Sequence, residues 1–261
     1  MKVIDAHIHP DLYSTDERKL VLAQLGSEVE AVIAVSLHEE SCRTNLELAR
    51  QFPGKYYSAF GYHPEQAIPD KDTLAHLFSW INEHRSEAIA IGEVGLPYYN
   101  RTDAESRGEQ FDLKPYIDLL EQFVRLAKQL DKPIILHAVY EDADIVCDLL
   151  EQYGVVAAHF HWFKGSELTV ERMAQNGYYI SITPDVLYEE EIRQLVRQYP
   201  LNQLMVETDG PWPFEGPFEG RVTLPNMVRE VVAEIALLKG LDLSEASELL
   251  YENTRRFYQI Y

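Results

Sequence analysis

Two cysteines in 261 residues, Cys42 and Cys147, are too few for a disulfide framework. Both fall in segments with helical patterning, so buried free thiols in a reducing cytoplasm are expected. No stretch approaches the roughly 18 apolar residues of a membrane span. The opening MKVIDAHIHP places Asp5, His7 and His9 where a secretory signal needs an apolar core. Basic charge is scarce: 23 Lys and Arg stand against 43 Asp and Glu, a formal net charge of −20. That argues against a basic face that coats nucleic acid. It leaves open a nuclease whose positive charge is supplied by metal ions. There is no Gly-, Ser- or Pro-rich linker and no internal repeat. No glycine-rich phosphate loop follows any apolar run. Nothing calls for an obligate protein partner.

Eight short apolar runs are present, at 2–6, 31–36, 56–61, 88–94, 133–139, 155–160, 178–182 and 203–208. They mix Val, Ile, Ala and Leu without strict polar alternation, as strands covered on both faces do. Amphipathic stretches separate them, with two more after the last run, at Leu224–Lys239 and Ser244–Tyr261. Gly240 stands where a helix-ending glycine is expected, and Ser244 reads as an N-cap. Eight strand–helix units predict a single α/β domain over 1–261, a TIM (β/α)8 barrel. Pro97–Asp112 and Gly210–Leu224 read as irregular loops at the face where such barrels carry their sites.

The chemistry-bearing residues gather at the carboxyl ends of these runs. Asp5, His7 and His9 form D-x-H-x-H, and side chains two apart on a strand share a face. Glu93 ends the fourth run, His137 the fifth and Asp209 the eighth, and His161 follows the sixth. Four imidazoles and two carboxylates at one mouth are too many for a single tetrahedral ion. They suit two divalent ions bridged by Glu93, with Zn, Mg, Mn, Fe and Ni not distinguished. A mononuclear centre, with His137 and His161 on substrate, is the alternative. Asp5 is read either as accepting an imidazole N–H and orienting a ligand, or as a buried carboxylate capping a turn. His63, in GYHPE, faces the mouth as a candidate substrate contact. His38, His76 and His84 read as surface residues and His159 as strand interior.

VIDAHIHPD, GYHPE, IGEVGLP, KPIILH, HWFKG, ETDGPW and NTRRFY occur in that order. Together, from Val3 to Phe257, they resemble the signatures of the TatD family of metal-dependent hydrolases. The resemblance implies a barrel hydrolase of the amidohydrolase superfamily, generally a deoxyribonuclease. It implies that His7, His9, Glu93 and Asp209 hold one metal and Glu93, His137 and His161 the other. Asp209 would also be the catalytic base. The chain departs from the family pattern at Pro97, where many members have Asp, and at Val139, where many have Arg. Trp162 and Lys164 replace small residues after His161. Lys164 and Arg221 are the remaining candidates for an anionic group. The expected substrate is a phosphoester or nucleic acid, short or single-stranded. An amide, lactone or ester hydrolase is the alternative, and a non-catalytic metal-binding barrel a third reading.

Overall fold

A computed structural model describes residues 1–261. Eight strands form one sheet in the order β1 to β8: Ile4–Ile8, Ala31–Ala34, Tyr56–Phe60, Ala88–Gly95, Ile134–His137, Ala158–Phe160, Tyr179–Ile182 and Leu204–Val206. Every neighbouring pair is parallel. Beyond the strand ends β8 returns to β1, where Asp209 N–H donates to His7 O at 2.9 Å and His9 N–H donates to Gly210 O at 2.8 Å. The sheet is therefore the TIM barrel expected from the sequence.

Ten helices accompany it: α1 (Thr15–Ala23), α2 (Glu39–Gln51), α3 (Lys71–Glu83), α4 (Tyr98–Ser106), α5 (Lys114–Leu130), α6 (Glu141–Tyr153), α7 (Glu167–Gln175), α8 (Glu190–Gln198), α9 (Val228–Lys239) and α10 (Leu243–Tyr258). The stripe on α5 shows what attaches them. Leu119, Leu120, Phe123, Val124 and Leu126 are all buried. At about 1.5–3 kcal/mol for each large side chain, that face contributes on the order of 10 kcal/mol before entropy is counted. Gly240 ends α9 in the left-handed conformation, as expected. Two local expectations are corrected. The segment after β4 is not irregular, because α4 forms there on a cap supplied by Glu65, described below. The N-cap of α10 is Asp242, not Ser244: the Asp242 carboxylate accepts from Ser244 N–H, so the helix starts earlier.

The barrel has two apolar layers. The larger lies between strands and helices and holds residues such as Ile134, Leu136, Phe160, Ile180 and Val206. The smaller lines the inside with Ala6, Ile33, Ala59, Ala90, Ile135 and Met205, and includes Phe257 and Tyr258 of α10. Strand alternation then decides which side chains look inward. His137 shares parity with Ile135, and Glu207 and Asp209 with Met205. The register of β4 against β5 shifts between Ile91 and Val94. Such irregularities re-aim side chains, and Glu93 sits inside this one. Close packing around it leaves no room for Cβ atoms: one added at Gly95 would lie 1.9 Å from the His137 carbonyl oxygen.

Candidate metal centre

β1 supplies His7, and His9 follows it by one residue. Their Nε2 atoms are 3.3 Å apart. Glu93, from β4, brings Oε2 to 3.1 Å from His7 Nε2 and 3.2 Å from His9 Nε2. Asp209, three residues past β8, brings Oδ1 to 3.3 Å from each of the same nitrogens. Its backbone has φ 49°, a turn that brings the side chain back over the mouth. The other Glu93 oxygen faces a second group. Oε1 is 2.9 Å from His137 Nδ1 and 2.8 Å from His161 Nε2, and those nitrogens are 3.1 Å apart. The His7 and His161 rings stack with centroids 3.8 Å apart. All six residues are buried, and Glu93 is 0 % exposed.

Only some of these contacts are hydrogen bonds, His137 Nδ1 to Glu93 Oε1 among them. Glu93 Oε2 and Asp209 Oδ1 have imidazole nitrogens within 3.1–3.3 Å yet no hydrogen-bond partner. Lone pairs converging on a common point have a simple use. In a tetrahedral ion with bonds of about 2.0 Å, donors lie about 3.3 Å apart. The Nε2 atoms of His7 and His9 lie 3.1–3.3 Å from each other, from Glu93 Oε2 and from Asp209 Oδ1. The donor chemistry and spacing therefore fit a divalent cation.

The electrostatics agree. Burial opposes charge on His9, His137, His161, Glu93 and Asp209, yet their opposite-charge neighbours hold them ionised. For Glu93 the desolvation is overcome by His161, His63 and His7, which hold its carboxyl well below the usual range. Asp209 is likewise held low against burial, by His7 and His9. Against its own burial, His9 is held up at about 10 by Asp209 and Glu93. Burial also opposes charge on His161, but Glu93 and then Glu207 hold it well above its ordinary value. Protons thus balance the two carboxylates, a role that a dication would take over.

Around this cluster a cavity of about 470 Å³ opens at the mouth. His63 lines it, with Nε2 3.2 Å from Glu93 Oε1. Its Nδ1 accepts the Glu65 backbone N–H at 3.1 Å, so the neutral ring carries its proton on Nε2. The other substrate candidates are not brought here. Lys164 lines a separate depression with Glu167 and Glu191. Arg221 is exposed and stacks over the Phe218 ring at 5.3 Å. Asp5 accepts from Thr208 N–H at 2.9 Å and from Thr208 Oγ1 at 2.5 Å, tying β1 to the chain after β8. No imidazole N–H reaches it, so the turn-capping reading describes its contacts. His38 caps α2, and His76 pairs with Glu39 on the surface.

Several site residues were not singled out by sequence reasoning. Glu65 lies inside GYHPE and Glu207 inside ETDGPW, so motif membership was the available signal. Glu65 accepts the N–H groups of Tyr99 and Asn100 at 2.8 Å each, capping α4, and its Oε1 is 3.4 Å from His137 Nε2. Through α4 it places Tyr99 and Asn100 on the cavity wall, beside Val139, Trp162 and Trp212. No lysine or arginine lines the cavity. Arg101, next to Asn100, is turned away onto Glu141 and the buried Asp142 at 3.0 and 2.7 Å.

A barrel whose strand ends converge this donor set is the scaffold of a metal-dependent hydrolase. The family model for TatD-related DNase matches residues 4–259, and the chain belongs to that family. A Haemophilus influenzae relative, named an uncharacterized metal-dependent hydrolase, is 38 % identical, with 99 % of this chain and 100 % of that protein aligned. Human deoxyribonuclease TATDN3 is 27 % identical over 98 % of this chain and 94 % of its own. The crystal structure of YjjV, a TatD homologue from Escherichia coli, superposes with TM-score 0.86 at 25 % identity, covering 99 % of this chain and 98 % of that one. No helix of the structure is long and apolar enough to cross a membrane.

Proposed function

We propose that this chain hydrolyses phosphodiester bonds in short or terminal stretches of nucleic acid, using two divalent ions. His7, His9, Glu93 and Asp209 would hold one ion, and Glu93, His137 and His161 would hold the other. One observation carries the reading: the two oxygens of Glu93 face two different groups of imidazoles, at 2.8–3.2 Å. When bound, the ions supply a Lewis-acid field that acidifies water and polarises the scissile group. Asp209 remains a carboxylate through neutral pH, ready to orient the attacking water and take its proton. His63 offers a fixed N–H to an oxygen of the substrate. Tyr99, Trp162 and Trp212 present flat faces against which a base can stack. The cavity wall carries no cation, so only the ions attract phosphate, and the surface of net charge −20 repels a long duplex. This supports a short substrate.

Elemental analysis of gently purified protein, paired with a nuclease assay on short single strands, tests the reading. Two equivalents of metal and metal-dependent cleavage are expected. In Asp209→Asn, turnover falls at least 10²-fold, as for loss of a general base, even when metal is supplied in saturating excess. Unchanged turnover in that variant removes Asp209 from the mechanism. Val139 and the three aromatic residues favour a second reading, hydrolysis of a carboxyl ester, lactone or amide on the same centre. A panel of phosphodiester and carboxyl substrates separates the two.

A further inference from the structure

TIM-barrel interiors are normally filled by layers of branched apolar side chains. This one contains a continuous line of polar groups below the mouth. Tyr258 Oη, from the last turn of α10, is 2.7 Å from His159 Nδ1. His159 Nε2 is 2.5 Å from Ser181 Oγ. The Ser181 hydroxyl donates to Glu207 Oε2 at 2.5 Å. The other Glu207 oxygen, Oε1, accepts the backbone N–H of Trp162 at 2.7 Å and lies 3.7 Å from His161 Nδ1. All four members of the line are 2 % exposed or less.

The direction of this line is fixed by its end. Because Ser181 donates to Glu207, its oxygen must accept from His159, so His159 carries its proton on Nε2. His159 Nδ1 is then the acceptor for the Tyr258 hydroxyl. Every donor points toward the Glu207 carboxylate. That carboxylate sits behind His161, on the side away from Glu93. His161 Nδ1 has no hydrogen-bond partner of its own, and its Nε2 is the atom 2.8 Å from Glu93 Oε1. A carboxylate behind an imidazole keeps the proton on the rear nitrogen and leaves the front lone pair free. Glu207 also fixes the next residue. Trp162 has φ 38°, its N–H held by Glu207 and its indole Nε1–H by Asp185 at 2.6 Å.

We infer that Glu207 is a positioning residue. It sets which nitrogen of His161 faces the metal and anchors the turn that brings Trp162 to the cavity wall. Ser181, His159 and Tyr258 orient it from below. The inference rests on the proposed metal centre.

Cobalt(II) is the probe, loaded into metal-stripped full-length protein. Its affinity is measured by competition with a chelator and its geometry by visible absorption. Glu207→Gln keeps the side-chain shape and the acceptor for Trp162, so folding is retained. It is expected to weaken one cobalt equivalent by 10–100-fold, leave the other unchanged and shift the absorption bands of the weakened ion. His161→Ala weakens the same equivalent, and the double variant is no weaker than His161→Ala alone, because both act on one contact. Ser181→Ala removes a donor without removing the charge and gives a smaller shift in the same direction. Wild-type affinity and spectrum in Glu207→Gln overturn the inference, as does full additivity with His161→Ala. If wild-type protein binds cobalt but Glu207→Gln is unaffected, only the role of Glu207 fails. Wild-type protein that binds no cobalt overturns the metal centre and this inference together.

Discussion

Glu93→Gln is the most demanding test of the metal centre, because one side chain is asked to serve both ions. Its two oxygens each lie within 3.2 Å of two or more imidazole nitrogens, and the residue is wholly buried. Glutamine has the same shape, so the pocket stays filled. The five imidazoles it faces, His63 among them, lose their shared counter-charge. Structural zinc held by four ligands is worth about 10–16 kcal/mol at neutral pH. One ligand in four is then on the order of 3–4 kcal/mol, which is roughly 10²–10³-fold in affinity. Glu93→Gln should weaken both ions by that factor. Asp209→Asn, whose oxygen contacts only His7 and His9 in the cluster, should weaken one. The assay is metal content by elemental analysis after equilibration against a graded series of chelator concentrations. Two ions leaving together in Glu93→Gln and separately in Asp209→Asn is the expected pattern. If Glu93→Gln loses a single ion, or Asp209→Asn loses both, the bridging geometry has been misread.

Three further outcomes follow from the same coordinates. In metal-free protein His9 is held at about 10 against an ordinary 6.5, so its stabilising contribution is complete below pH 6.5 and disappears as pH rises through about 10. Denaturant midpoints of chelator-treated protein should fall across that interval, and a flat profile would contradict the pairing of His9 with Asp209 and Glu93. Gly95→Ala drives a methyl into the His137 carbonyl, 1.9 Å away, and should cost at least about 1–3 kcal/mol as overpacking does. An unshifted melting temperature would mean that β4 and β5 are not this close. Trp212 is 56 % exposed, so Trp212→Ala should leave stability within about 0.5 kcal/mol. On a base-containing substrate it should raise KM by roughly 5–150-fold, the value of one stacking contact. An unchanged KM would remove Trp212 from the substrate wall.

The barrel was legible because its strands are covered on both faces, and short runs of Val, Ile and Ala record that covering directly. The positions of the donors were legible for a related reason. A residue at the carboxyl end of an inward-facing strand position has one place to go, so His7, Glu93 and His137 could be assigned to the mouth from spacing alone. Loop residues do not carry that information. Lys164 and Arg221 follow strands six and eight just as His161 and Asp209 do, yet backbone turns and local packing take them elsewhere. The helix α4 was hidden for a different reason: its cap comes from Glu65, 33 residues before its first residue, and no local pattern announces a cap from another loop.

The two carboxylates that sequence reasoning passed over occupy comparable positions. Glu65 faces the rear of His137 at 3.4 Å, and Glu207 faces the rear of His161 at 3.7 Å. Both imidazoles belong to the group around Glu93 Oε1. All four rear nitrogens lack a hydrogen-bond partner, but no further carboxylate stands within 4.0 Å behind His7 or His9. The two groups of donors are therefore built differently. One is held by the backbone of β1 and by Asp209, the other by side chains that answer to α4 and to the barrel interior. A substitution far from the mouth, at Ser181 or Tyr258, can reach only the second group through this network. On the two-ion reading proposed above, any difference in affinity between the ions should therefore track changes in the interior line, while the site at His7 and His9 stays as it is.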